Sequence, residues 1–379
     1  MVDYANEALN IHKQNHGKIH IELNDQLDSP DKLKLYYTPG VAAVSMKVAK
    51  NKSLLREYTW TGNTVAVISD GSAVLGLGNI GPEGAMPVME GKALLFAHFA
   101  SINAVPIILN VHSADEIVAA VKAIAPSFGG INLEDIAAPV CFEVEKRLIE
   151  ELPIPVMHDD QHGTAIVTLA GLINAAKLTD RDLNSSRATI VGAGAAGVAI
   201  AKLIKAYAPG LKLTAVDSKG IISRERTDLN DSKKTLLALS DPIHPSGGLD
   251  EAIKGADIFI GVSSPNLLTE SMVKSMNKRS IIFAMANPDP EIKPDDAKRA
   301  GAAIVATGRS DYPNQVNNAL AFPGIFRGAL DNRIDRITEQ HKLAAAEAIA
   351  SLVDKPDADH IVPSINDPRL VKTIAKIIV

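Results

Sequence analysis

Only one cysteine, Cys141, occurs in the 379 residues, so no disulfide can form within the chain and a reducing compartment is expected. A lone thiol of this kind reads as a small buried apolar residue. Charge of neither sign is in excess: 39 Lys and Arg face 44 Asp and Glu, a formal net charge of −5. That balance gives no basic stripe for nucleic acid and no solvated acidic tail, so an anionic ligand must be met locally. Uninterrupted apolar runs of membrane-spanning length are missing as well. The opening stretch, Met1 to Gly17, is polar and lacks the apolar centre of a secretion signal. Solenoid repeats and low-complexity tracts are also absent. These absences describe a cytoplasmic protein with no nucleic-acid or membrane partner.

What is present is the composition of a folded globule, 46% hydrophobic and 22% charged. One hydrophobic core rarely serves a chain of this length, which predicts two domains. From Thr64 onward strand-like and helix-like segments alternate, the pattern of parallel α/β units. Val65 to Ser69 reads as a strand, followed by a glycine-rich connection and a helix across Ala85 to Ala100. Val105 to Asn110, Ile131 to Leu133 and Ile154 to Met157 read as further strands. Ser113 with Glu116 makes a capping box that opens a helix, which Pro126 ends.

The ends of those strands carry Asp70, Asn110, Glu134-Asp135 and Asp159-Asp160. Ligands gather beyond the carboxyl ends of strands in open parallel sheets. Two acid pairs at successive strand ends therefore make a metal or catalytic site the leading reading, although acids near turns also serve as solvated caps. Clustered carboxylates repel one another unless a cation neutralises them, and an all-oxygen set prefers Mg²⁺ or Mn²⁺ to zinc.

Three other features stand near these acids. Lys92 is followed by Ala93-Leu94-Leu95-Phe96, an apolar setting in which desolvation would lower its pKa toward the range of a base. Tyr37 precedes Pro39-Gly40, a pair suited to the centre of a type II turn, which would hold the phenol rigidly as a proton donor or as a packing residue. The run from Leu75 through Gly76 and Gly78 to Pro82 can turn backbone amides toward an anion.

A second unit starts at Thr189-Ile190-Val191. Gly192-Ala193-Gly194-Ala195-Ala196-Gly197 has the G-x-G-x-x-G spacing directly before the apolar helix Val198 to Tyr207. The next strand, Leu211 to Val216, ends at Asp217, 20 residues after Gly197, where a carboxylate can accept hydrogen bonds from adenosine ribose hydroxyls. Gly192, Gly194, Ala195, Ala196, Gly197 and Asp217 are thus the candidate dinucleotide contacts. NAD is the preferred cofactor, because Asp217 would face the 2′-phosphate of NADP. Lys219, Arg224 and Arg226 lie close enough in sequence to offset that repulsion, so NADP or dual use stays open. Later strands exit at Ser263-Ser264, Asn287-Pro288 and Thr307-Gly308, beside the nicotinamide half of a cofactor or simply as turns.

The predicted fold is α/β with two parallel-sheet domains. Residues 1–162 would hold substrate and metal, residues 163–335 would form a Rossmann dinucleotide-binding domain, and a helical extension over 336–379 would pack back on the first domain.

Taken in order, the motifs Tyr37-Thr38-Pro39-Gly40-Val41, Asp70-Gly71 with Leu75-Gly76-Leu77-Gly78, Lys92, Glu134-Asp135, Asp159-Asp160 with Gly163-Thr164, Gly192 to Gly197, Asn287-Pro288 and Asn318 before Phe322-Pro323-Gly324 resemble the malic enzyme family, short prokaryotic type. The resemblance spans nearly the whole chain. It implies oxidative decarboxylation of L-malate to pyruvate and carbon dioxide with reduction of NAD(P), and decarboxylation of oxaloacetate. It also implies Glu134, Asp135 and Asp160 as metal ligands, Lys92 as a base assisted by Asp159, and Tyr37 as the acid. Asn287 and Asn318 would hold the substrate carboxylate and the carboxamide region, with Lys92 also touching substrate. Ala73 stands where longer eukaryotic-type relatives carry an arginine, so glycine-rich amides or another cation must hold the substrate carboxylate. A homodimer is the default assembly. Two competing readings are a non-decarboxylating amino- or hydroxy-acid dehydrogenase, which would not need three acids together, and a regulatory dinucleotide-binding protein without turnover.

Overall fold

The computed structural model describes residues 4–74, 76–242 and 246–379; Leu75 of the glycine-rich run lies outside them. Two sheets account for the paired strands among the described residues. The first holds β1 (Thr64–Ser69), β2 (Asn103–Ile108), β3 (Gly130–Leu133) and β4 (Val156–His158) in the order β2-β1-β3-β4, all parallel. Every residue of β1 is buried, as its Val-Ala-Val-Ile run requires of a strand covered by helices on both faces. The strand order reverses between β1 and β3, so the loop after β1 and those after β3 and β4 open one crevice.

The second sheet holds β5 (Arg187–Val191), β6 (Lys212–Asp217), β7 (Gly220–Ile221), β8 (Ile258–Gly261), β9 (Ile281–Ala284) and β10 (Ile304–Thr307). Its order is β10-β9-β8-β5-β6-β7. All pairs are parallel except β6 with β7, so this sheet is mixed and not wholly parallel as the strand pattern predicted. Only Ser218 and Lys219 separate the two strands, far too few residues for the crossover that a parallel partner needs.

Several local expectations are corrected. The helix expected from Ala85 begins at Gly81, since Pro82 fits a first turn whose amide would lack a partner anyway. Gly40 is right-handed (φ −59°, ψ −39°) after a cis Thr38–Pro39 bond, and a type II turn needs positive φ there. It caps the helix Val41–Lys50 instead.

The C-terminal helices make their largest contacts with the central helix and the second unit, while Lys342 reaches Glu145 of the first. Glu339–Ser351 lies on the helices Asp159–Leu178 and Ala195–Tyr207, and Leu370–Ile377 lies on Phe322–Asp331. Two glycines make the second contact possible, because a Cβ on Gly324 or Gly328 would come within 2.7 Å of the Ile374 or Ile378 side chain. The predicted boundary at residues 162/163 falls inside the helix Asp159–Leu178, so no linker separates the sheets there. Among the described residues no helix is long and apolar enough to cross a membrane.

Buried Asn174 ties the central helix to the extension, donating from Nδ2 to the carbonyls of Ala350 (2.9 Å) and Ile361 (3.0 Å). Asn174→Ala should strand both carbonyls and destabilise the protein by about 1–3 kcal/mol. A denaturant midpoint equal to wild type would show that this side chain does not fasten the extension.

Candidate active site

The acids stand where the strands end. Glu134 and Asp135 follow β3, and Asp159 and Asp160 follow β4 as the first turn of Asp159–Leu178. Asp135 takes a left-handed conformation (φ 54°), which turns its amide back to donate to Asp160 Oδ2 at 2.8 Å. Oxygens of Glu134, Asp135 and Asp160 lie within 4.8 Å of one another.

Lys92 reaches this cluster from the buried face of Gly81–Ala100. Its Nζ is 2.7 Å from Asp159 Oδ2 and 2.8 Å from Glu134 Oε1, and it sits 4.4 Å from the centre of the Phe322 ring. The predicted lowering of its pKa does not occur. Burial alone would lower it, but Asp159 and Glu134 outweigh that and push it above the ordinary lysine range. Lys92 is therefore an ammonium at neutral pH.

One ammonium cannot balance four carboxylates. Burial pushes Glu134 well above the usual carboxylate range; Lys92 offsets this in part, and Asp160, Asp159 and Asp135 add to it. Burial likewise raises Asp159, against the pull of Lys92. Asp160 goes the other way: burial is overcome by His158, whose Nε2 lies 3.2 Å from Oδ2, by Lys92 and by the Asp135 amide. Asp159 Oδ1 is buried with no hydrogen-bond donor among the described residues. A crowded, charge-deficient, all-oxygen set with a buried acceptor left over fits a hard divalent cation. Gly163 leaves room for the Asp159 carboxylate, since a Cβ there would lie 1.9 Å from Asp159 Oδ1.

Two adjoining cavities meet at Val262 and Ser263. The larger, about 680 Å³, is lined by Gly192, Gly194, Asp217 and Lys233. Gly197 lets the helix close on the loop, a Cβ there falling 1.9 Å from the Gly192 carbonyl oxygen. The other, about 430 Å³, brings Asp160, Thr164, Ala196, Asn287 and Asn318 together. Ala73 also lines it, and no lysine or arginine is among its described lining residues. Asp217 lines the first cavity, where Arg226 and Lys233 engage both of its oxygens. Tyr37 is not brought to the cluster; it ends the helix Pro30–Tyr36 and is 67% exposed.

Sequence reasoning missed two buried acids that shape these loops. Glu291 accepts the Ser263 and Ala286 amides, both at 3.0 Å, and so ties the exits of β8 and β9 together. Glu145, on the helix Val140–Glu151, accepts the His158 amide at 2.8 Å, His162 Nε2 at 2.9 Å and Gln161 Nε2 at 3.2 Å, bracing the start of Asp159–Leu178 from behind. Its signal was legible: Glu145 shares the buried stripe of Cys141, Val144 and Leu148.

Burial would raise the Glu145 carboxyl, but His162 and Lys342 hold it below its ordinary range. His162 is itself lowered by burial, so at neutral pH it acts as a hydrogen-bond donor more than as a cation. A depressed carboxyl stabilises the fold fully above its unfolded pKa, near 4.5, and loses that contribution as pH falls. The melting-temperature advantage of wild type over Glu145→Gln should be level from about pH 7 to 5 and shrink below about pH 4.5. An advantage that grew on acidification would reverse the assignment.

Comparison with known proteins shows the family. The malic enzyme N-terminal domain matches residues 13–149, and the malic enzyme NAD binding domain matches residues 161–379. A bifunctional malic/malolactic enzyme of Bacillus subtilis is 53% identical over 98% of this chain and 91% of its own. An NADP-dependent malic enzyme of Halomonas elongata is 46% identical over 95% of this chain and 88% of its own. The crystal structure of the NAD-dependent malic enzyme of Thermotoga maritima superposes with a TM-score of 0.95 at 47% identity, covering 100% of this chain and 99% of that one. With three clustered acids, a buried lysine and a dinucleotide cavity, the dehydrogenase and regulatory readings give way: the chain belongs to the malic enzyme family and carries out the oxidative decarboxylation of malate with a nicotinamide dinucleotide.

Proposed function

We propose that Glu134, Asp135 and Asp160 hold Mg²⁺ or Mn²⁺, that Lys92 and Asp159 handle the hydroxyl proton of malate, and that Tyr37 is the acid. The observation that carries this reading is the set of three carboxylates within 4.8 Å, with Lys92 bridging Glu134 and Asp159. When bound, the ion would supply Lewis acidity toward the 2-hydroxy acid and the dinucleotide would supply the acceptor for the hydride from C2. Lys92 Nζ lies 2.7 Å from Asp159 Oδ2, the contact through which Asp159 would assist it as the base. Asn287 and Asn318 present neutral amide groups to substrate and carboxamide in the smaller cavity. The three acids leave the non-decarboxylating reading without a task for them.

Excess chelator should abolish turnover while NADH or NADPH still binds. Asp160→Asn should do the same, and calorimetry should show Mn²⁺ affinity reduced by at least about tenfold, as for loss of a charged ligand. Unchanged turnover in chelator by protein shown to be metal-free would remove the ion from the mechanism.

The assembly proposed is a homodimer formed through the N-terminal segment. The helices Tyr4–Asn15, Pro30–Tyr36 and Val41–Lys50 bury no residue, and Leu9, Ile21, Leu23, Leu35, Tyr36 and Met46 are exposed. So large an uncovered apolar surface is unusual for a monomer. Tyr37 lies on it, so the phenol can act only once this segment closes over the cavity or a second copy covers it. Sedimentation velocity should give a dimer, and Leu35→Glu with Met46→Glu should give a monomer. A wild-type protein that stays monomeric at micromolar concentration would rule the interface out.

A further inference from the structure

We propose that Glu291 is a positioning residue for the nicotinamide half of the dinucleotide: its single carboxylate sets the spacing of the two loops between which that half lies. This rests on the dinucleotide cavity described above. Asp217 closes β6 on one side of β5, and the glycine turn closes β5 itself. A dinucleotide laid across the carboxyl ends of such a sheet has its adenosine on the β6 side and its nicotinamide on the β8 and β9 side. Ser263 lines both cavities, and Ala286 and Asn287 line the smaller one, which also holds Asp160. The spacing of these loops therefore decides how a nicotinamide ring meets the acid cluster.

The sheet ladder stops short of these loops. Among the described residues its last bond between β8 and β9 runs from the Met285 amide to the Gly261 carbonyl, 3.0 Å. The next amides, Ser263 and Ala286, donate to Glu291 Oε1 and Oε2 instead. Glu291 is fully buried, and its oxygens meet backbone amides and no cation among the described residues. Burial raises its carboxyl above the usual range, and those amides together with its own pull it back. An apolar side chain would fill the same space at less cost, but it could not hold two amides. The surroundings are built to keep the carboxylate there. The Asn266 amide donates to the Pro290 carbonyl at 3.1 Å and the Leu268 amide to the Glu291 carbonyl at 3.0 Å. Gly261 clears the approach, since a Cβ there would fall 2.4 Å from Glu291 Cδ and Oε1.

The other flank of β8 needs no such help. The Val262 amide donates to the Val191 carbonyl at 2.9 Å, and a Cβ on Gly192 would lie 2.6 Å from the Val262 carbonyl oxygen. Backbone alone closes that seam, so the pyrophosphate and adenosine ends are built without Glu291. In Glu291→Gln the amide oxygen keeps one partner, while the NH₂ group faces the other N–H donor to donor. The nicotinamide end should then loosen by itself.

The test needs neither metal nor malate, so its failure is separable from failure of the catalytic reading. Calorimetric titration of the full-length protein with NADH and with ADP-ribose compares the same nucleotide with and without the nicotinamide. The same pair bearing a 2′-phosphate runs alongside, so that cofactor preference does not enter the outcome. Glu291→Gln should weaken the reduced dinucleotide by at least about tenfold while leaving the ADP-ribose ligand within about threefold. Gly261→Ala, which keeps the carboxylate but displaces it, should show the same split, and combining the two should add little. Equal weakening of both ligands would make Glu291 a general part of the fold and overturn the inference, as would no change in either. Should both variants misfold, hydrogen exchange of wild type decides: the reduced dinucleotide should protect residues 262–268 and 285–291 more than the ADP-ribose ligand does. Equal protection would place the nicotinamide elsewhere and overturn the inference. Binding of none of the four ligands to wild type would remove the dinucleotide cavity itself and the inference with it.

Discussion

The contact on which the rest depends is the buried ammonium of Lys92 between Glu134 and Asp159. Burying charge is expensive unless it is paired and hydrogen-bonded, and here four carboxylates share one lysine. The imbalance cannot relax, because each acid is fixed at the end of a strand or the start of a helix. Nor is the lysine's environment built by one unit. Phe322, which follows the second sheet in sequence, faces the ammonium and packs on Phe96 with ring centres 4.6 Å apart. The second unit thereby closes the site that the first unit's strands open, and correct assembly of both is a condition of the charge pair.

The helix Asp159–Leu178 turns that condition into architecture. Its first turn carries two of the acids, Gly163 clears space for Asp159, and Thr164 lines the smaller cavity. Farther along, the Thr168 hydroxyl lies 3.5 Å from Met285 Sδ near the exit of β9, and Asn174 holds the extension. One rigid rod thus sets the acid cluster, the nicotinamide end of the cavity and the C-terminal helices in register. Glu145 braces the rod where it leaves β4, which explains a charged residue on an otherwise apolar stripe.

Features with local causes were legible in the sequence. The Ser113 cap, the glycine spacing from Gly192 to Gly197 and the acids after β3 and β4 depend on neighbours within a few residues. What failed depends on partners far along the chain. Lys92 looked like a lysine of lowered pKa because its sequence neighbours are apolar, yet Asp159, 67 residues away, reverses the direction. Lys233 was not placed beside Asp217 because it joins only after the next helix has begun. The amphipathic tail showed that its helices must pack, but not that Gly324 and Gly328 had shaped a surface for one of them. At Gly40 the dipeptide suggested a turn type, whereas the residue caps the helix Val41–Lys50.

The absence of a cation in the smaller cavity follows from the same charge balance. Glu134, Asp135, Asp159 and Asp160 crowd together beside this cavity, with the Lys92 ammonium between two of them and His158 against a third. A dianion would be repelled from such a site in the absence of a divalent ion, whichever neutral amides line the walls. A divalent ion on the acids would offset that crowding, and Asn287 and Asn318 line the cavity as neutral hydrogen-bonding groups. An arginine at Ala73 would add attraction independent of the ion. With alanine there, an ion held by the acids would be the added positive charge beside the cavity.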